Sequence, residues 1–170
     1  VIGNRGKGGL AERMLGTTSS SLPAAAYCPV VVIPYTDDSG KVMHLNNRIR
    51  RVVVGADESR WGVKAIETAA EFADHWGAML TVLSAVPNLT SMTGTGASGI
   101  DNSEQNSVME SYLEDLRSSI RPLHRKYPNL NITESVVEGS AIEALTQASK
   151  DNDVVVVGSR AVLQACYSAQ

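Results

Sequence analysis

Four residues near the start of the chain have the types and spacing to hold a phosphate group. Gly3-Asn-Arg-Gly6, nine intervening residues and then Gly16-Thr17 read as a glycine-rich turn followed by a second tight backbone position. Glycines at such points let backbone N–H groups converge on phosphate oxygens, and a helix N-terminus adds favourable partial charge. The Thr17 hydroxyl can donate a further hydrogen bond. Arg5 and Lys7 can help to neutralise phosphates, although a solvated surface position is the ordinary role of such charges. A loop of this kind is normally fed by a buried strand, yet only Val1-Ile2 precede it. The residues offer no paired carboxylates, Ser-His-Asp set or Cys-His pair. His44, His75 and His124 fall in a linker and on predicted helices, where surface or core roles are ordinary. The chemistry expected is therefore ligand binding without catalysis, so the chain is not read as an enzyme.

The elements that would position a ligand follow from periodicity. Residues 28–34 are a short Val/Ile run bounded by prolines, suited to a buried strand or a sheet edge. Residues 35–48 are polar and turn-like. Arg51-Val-Val-Val-Gly-Ala-Asp57 is a continuous apolar strand ending in Gly and Asp, as strands buried on both faces do. Ser59 is an N-cap for a helix over 60–76, with Val63, Ile66, Ala69, Ala70, Ala73 and Trp76 on one face and Gly77 closing it. Met79 to Val86 reads as a buried strand, stopped by Pro87. Residues 88–103 are rich in Gly, Ser, Thr and Asn. Asp101-Asn-Ser-Glu104 resembles a capping box for a helix that buries Val108, Tyr112, Leu116, Ile120 and Leu123, with Pro122 near its end. Ile132 to Val137 is a strand. Ser140 caps a short helix with Ile142, Leu145 and Ala148 inward, and Asp153 to Gly158 is the last and most apolar strand.

This β-α-β-α-β-α-β alternation predicts an α/β fold, an open, parallel, doubly wound, Rossmann-like sheet with right-handed crossovers. Ligands in such sheets sit beyond the carboxyl ends of the strands, where strand order reverses. Asp57, Ala85 and Gly158-Ser159 all lie at carboxyl ends and can share one crevice. Gly and Asp also commonly end strands without any ligand.

Composition narrows the classes. At 170 residues with 43% hydrophobic and 19% charged residues, the chain has the make-up of a globular protein with a sizeable core. A net charge of −3 and a pI near 5.6 argue against sequence-independent nucleic-acid binding. Two distant cysteines provide neither a disulfide framework nor metal-ligand spacing. No apolar run reaches the length of a membrane span and no secretory signal is present, so neither nucleic acid nor membrane is an expected partner and a cytoplasmic location is expected.

Two sets of residues together carry a family resemblance. The first is Gly3-x2-Gly6-x9-Gly16-Thr17 followed by Cys28-Pro-Val-Val-Val. The second is Val-Val-Val-Gly55-Ala-Asp57, then Val137-Glu-Gly139-Ser-Ala-Ile142, then Asp153-Val-Val-Val-Val-Gly158-Ser159-Arg160. The chain resembles a universal stress protein, and specifically part of a tandem form. That resemblance implies a nucleotide-binding regulatory protein of the stress response, with ATP as cofactor in one subclass, often a homodimer. It implies Asp57 and Gly55 against ribose and adenine, the backbone near Ala85 at the adenine, and Gly158-Ser159 at the start of a phosphate loop. Gly3, Gly6, Gly16 and Thr17 match the phosphate-cradling motif, and Asp57 can accept from a ribose hydroxyl.

The pattern departs from the family in its layout. Residues 1–36 read as the C-terminal part of a first domain, 37–48 as a linker, 49–160 as a second, truncated domain and 161–170 as an aberrant tail. Pro23 and the poor helix formers of Thr17–Ser21 predict a short or frayed opening helix. An exposed four-valine strand is an aggregation hazard. The segment 10–34 is therefore expected to dock beside 153–158, completing one sheet in circularly permuted order. Otherwise Val30–Ile33 is the edge through which a homodimer forms. The alternatives to adenine-nucleotide binding are a dimerisation or interaction module that binds no nucleotide, and an inactive fragment.

Overall fold

The computed structural model describes residues 1–3, 17–33, 48–57, 59–86 and 102–159. Gly6 and Gly16, residues 88–101 of the expected loop, residues 37–47 of the expected linker and the expected tail 161–170 lie outside the described residues. The chain divides into two units, one drawn from Val1–Asn47 and Ser159–Gln170, the other Arg48–Gly158.

In the first unit, β1 (Ile2–Gly3) pairs in parallel with β2 (Val32–Ile33). The Ile2 N–H donates to the Val31 carbonyl. Between them α1 spans Thr17–Ala25 and contains Pro23. The expected short helix is what forms, because proline has no N–H to offer the preceding turn. The buried Ser19 donates its hydroxyl to the Gly3 carbonyl, tying α1 to β1. The strand expected over 28–34 is trimmed to two residues by its flanking prolines. Among the described residues, the expected permuted pairing is replaced by two separate sheets: β2 takes β1 as its partner. That local pairing closes a shorter loop than one reaching 153–158, at lower cost in chain entropy.

The second unit is a four-stranded parallel sheet in the order β5-β4-β3-β6. Its strands are β3 (Arg51–Ala56), β4 (Met79–Val86), β5 (Ile132–Glu138) and β6 (Val154–Val156). Among the described residues, three helices cross between them: α2 (Arg60–Trp76), α3 (Asn102–Lys126) and α4 (Ala141–Ala148). The chain runs outward from β3 through β4 to β5, then returns past β3 to place β6 on its far side. Right-handed crossovers in opposite directions put α2 and α3 on one face and α4 on the other. On the first face Val52, Val54, Leu80 and Val82 pack with Ala65, Ile66, Ala69, Ala70 and Ala73 of α2 and with Leu116, Ile120 and Leu123 of α3. Val53 and Leu83, also buried, alternate to the α4 side.

Helix α2 has the ends its sequence specifies. The Ser59 side chain accepts from the Gly62 N–H, and Gly77 closes the helix in the left-handed region at φ 61. The expected faces need correction. Val63 and Trp76 are exposed, with Ala65 buried in their stead, and Val108 and Tyr112 stand at the exposed edge of the α3 stripe. Ile142 is 78% exposed, while Leu145 and Ala148 are half-buried. The last strand covers three residues of the expected six, and its edge position leaves Val155 and Val157 exposed. No helix among the described residues is long and apolar enough to cross a membrane.

The start of β6 is pinned to β3 by one carboxylate. Asp153 Oδ2 accepts from the Arg50 N–H at 2.9 Å and the Arg51 N–H at 3.0 Å, while the Asp153 N–H donates to the Arg51 carbonyl at 2.9 Å. These bonds set the register Val52↔Val154. Charge-assisted bonds at an exposed site stabilise modestly, so Asp153→Ala should cost about 1–2 kcal/mol in urea unfolding.

Candidate functional site

Strand order reverses between β3 and β6, so the crevice beyond their carboxyl ends is where an open α/β sheet accepts a ligand. Asp57 is the first residue past β3 and is exposed there. Its Oδ1 accepts two hydrogen bonds from Ser59, from the backbone N–H at 3.0 Å and from the hydroxyl at 2.5 Å. Ser59 Oγ in turn accepts from the Gly62 N–H at 3.1 Å. Among the described residues, Asp57 Oδ2 takes no hydrogen bond.

The carboxylate lies directly over the first turn of α2. A Cβ on the buried Gly62 would run into the Asp57 carboxylate and lie 2.5 Å from the Asp57 carbonyl oxygen. The first turn of α2 contains no acidic residue, so Asp57 supplies the negative charge that complements the helix N-terminus. On the same turn, the Arg60 guanidinium sits 4.4 Å from the centre of the Trp61 ring. The chain leaving β6 passes this turn closely, since a Cβ on Gly158 would meet the Trp61 carbonyl oxygen at 2.7 Å. Asp57 and Gly158 are therefore brought together by α2, each held against its opening turn.

The remaining expected residues are placed as follows. Gly55 lies in β3 with Leu145 of α4 against it, 3.1 Å from where a Cβ would stand. Ala85 is half-buried on the neighbouring strand and pairs with Val137. The turn after β5 is fixed by the Gly139 N–H donating to the Val86 carbonyl, with Gly139 at φ 118. Ser159 follows Gly158 and falls to the other unit. Gly3 belongs to that unit too, in β1, and Thr17 begins its helix. Gly6 and Gly16 lie outside the described residues. No group of three or more His, Cys, Asp or Glu side chains that could hold a metal is found among the described residues.

The sequence model of the universal stress protein family matches residues 48–164, which takes in the whole four-stranded unit. The chain belongs to the universal stress protein family. A universal stress protein of Mycobacterium tuberculosis is 32% identical over 160 residues, covering 94% of this chain and 50% of that protein. Another from Mycobacterium bovis is 29% identical over 161 residues, with the same coverage of both chains. The chain thus spans about half the length of these curated relatives. Among solved structures, a universal stress protein from Lactobacillus plantarum superposes with a TM-score of 0.50 at 17% identity, covering 71% of this chain and 86% of that one. That likeness bears on the fold, and agrees with the parallel, doubly wound sheet expected from the sequence.

Within this family member, Ser59 and Gly62 lie against the Asp57 carboxylate, a placement that neither residue's type announces. The signal was present in Asp57-Glu-Ser59 followed by Gly62, a strand-end Asx turn running into a capped helix. Local sequence marks Ser59 as a helix cap. Its second bond, to Asp57, needs the strand end and the helix start to be adjacent in space.

Proposed function

We propose that this universal stress protein binds an adenine nucleotide, with ATP as the natural candidate, and acts through occupancy rather than catalysis. Asp57 and Gly55 serve the ribose and adenine, the backbone at Ala85 meets the adenine, and Gly158 leads toward the phosphates. The observation that carries this reading is Asp57 itself. It stands at the carboxyl end of β3, beside the reversal of strand order, with one carboxylate oxygen held by Ser59 and the other, among the described residues, without a hydrogen-bond donor.

The test is direct. Purified protein, denatured, should release adenine nucleotide, and calorimetric titration with ATP should show Asp57→Ala weakened by about tenfold or more, the worth of a hydrogen bond to a charged group. Protein that carries no nucleotide and shows no thermal shift with millimolar ATP would overturn the reading. A second reading, an interaction module that forms a homodimer through Val30–Ile33, is favoured by Val31, an apolar residue 44% exposed beside β2. A nucleotide-free dimer in sedimentation, dissociated by Val31→Lys, would support that reading instead.

A further inference from the structure

We propose that Ser59 and Gly62 are positioning residues for Asp57, locking its carboxylate so that Oδ2 alone is presented to the ligand. This inference rests on the nucleotide reading above and specifies how that site is made selective. A carboxylate at the end of a strand has rotational freedom about two bonds, and an exposed one normally averages over rotamers. Here both donors of Ser59 converge on one oxygen, at 3.0 Å from the backbone N–H and 2.5 Å from the hydroxyl. The serine hydroxyl cannot swing away, because its oxygen is also the acceptor for the Gly62 N–H at 3.1 Å. Gly62 completes the arrangement from below. It leaves free the volume that a side chain would take from the carboxylate, so Asp57 can lie flat on the helix turn.

The relay runs from Gly62 N–H to Ser59 Oγ and from Ser59 O–H to Asp57 Oδ1. It saturates Oδ1 and fixes the plane of the carboxylate before any ligand arrives. Oδ2 is then a pre-aimed single acceptor suited to one ribose hydroxyl. Rigidity of this kind raises affinity by removing the ordering cost from the binding step.

The variant that isolates this role is Ser59→Gly. Glycine is nearly as good an N-cap as serine and keeps the backbone N–H, so the helix start survives while the hydroxyl donor is lost. Ser59→Thr keeps the hydroxyl. Calorimetric titration with ATP should give about tenfold weaker binding for Ser59→Gly and within about twofold of the parent for Ser59→Thr. Unfolding midpoints should shift little in either. A ligand-free readout runs in parallel: three-bond carbon–carbon couplings across χ1 of Asp57 should report one rotamer in the parent and in Ser59→Thr, and rotamer averaging in Ser59→Gly. Asp57→Ala serves as the control for the nucleotide reading. If Asp57→Ala loses ATP while Ser59→Gly binds it like the parent, the positioning role is overturned and the nucleotide reading stands. If the parent binds no ATP, the nucleotide reading falls, and the couplings decide the positioning role alone. A single Asp57 rotamer retained in Ser59→Gly would then overturn it.

Discussion

Gly62→Ala is expected to destabilise the protein, the reverse of what a helical glycine-to-alanine change normally does. In a helix interior, alanine is favoured over glycine by about 1 kcal/mol. Here the added methyl would enter space occupied by the Asp57 carboxylate and lie 2.5 Å from its carbonyl oxygen and 3.0 Å from its backbone nitrogen. Rotating the Asp57 side chain relieves only the first collision, because the other two involve the backbone that joins β3 to α2. Overpacking against backbone costs about 1–3 kcal/mol. The net loss should reach up to about 2 kcal/mol in urea unfolding, with a fall of up to several degrees in the melting temperature. On the nucleotide-binding proposal, the displaced carboxylate should also weaken ATP binding by about tenfold. A rise in stability would show that the β3–α2 turn yields more readily than its close packing implies.

Ile120→Ala should have the largest effect on stability, about 2–5 kcal/mol, whereas Tyr112→Ala on the same helix should cost less than about 0.5 kcal/mol. Ile120 is fully buried, and with Leu116 and Leu123 it anchors the C-terminal half of the 25-residue α3 to the sheet. Leucine and isoleucine side chains closed off on all sides leave a cavity when truncated, since their neighbours relax only partly. Tyr112 is 37% exposed and Val108 is 36% exposed, so that half of the buried stripe is open to solvent. Chemical denaturation of the two variants side by side measures the contrast. Equal losses would mean that α3 is held along its whole length.

The fate of these two positions illustrates what periodicity can and cannot convey. Val108, Tyr112, Leu116, Ile120 and Leu123 share one helical face by spacing alone, and that much was legible. How far along the face the contact extends depends on where β5 ends and on the angle at which α3 crosses it. No residue of α3 encodes that angle. Val63 and Trp76 on α2 failed as core residues for the same reason: a helical stripe has edges, and the twist of the sheet decides which edge is covered. Ile142 was expected inward and stands 78% exposed, because α4 is short and meets its sheet face chiefly through Leu145.

The site divides in the same way. Asp57, Gly55, Ala85 and Gly158 stand out as candidates because each sits at or near a strand end, and strand ends in a parallel sheet are written in local runs of valine broken by Gly or Asp. The dual role of Ser59 was hidden. A capping serine bonds to its own helix, whereas the bond to Asp57 requires the preceding strand to deliver a carboxylate onto the same oxygen.

The sequence by itself determined the element types, the capped ends of α2 at Ser59 and Gly77, the parallel α/β class and the family. All of these rest on contacts within a few residues, or on patterns that repeat along the chain. Only the tertiary structure decided the order β5-β4-β3-β6, the pairing of β2 with β1, and the close approach of Gly158 and Asp57 to the first turn of α2. Those depend on which distant segments meet. That choice is made by the whole unit's packing against the entropy of closing each loop, and no local stretch of residues carries it.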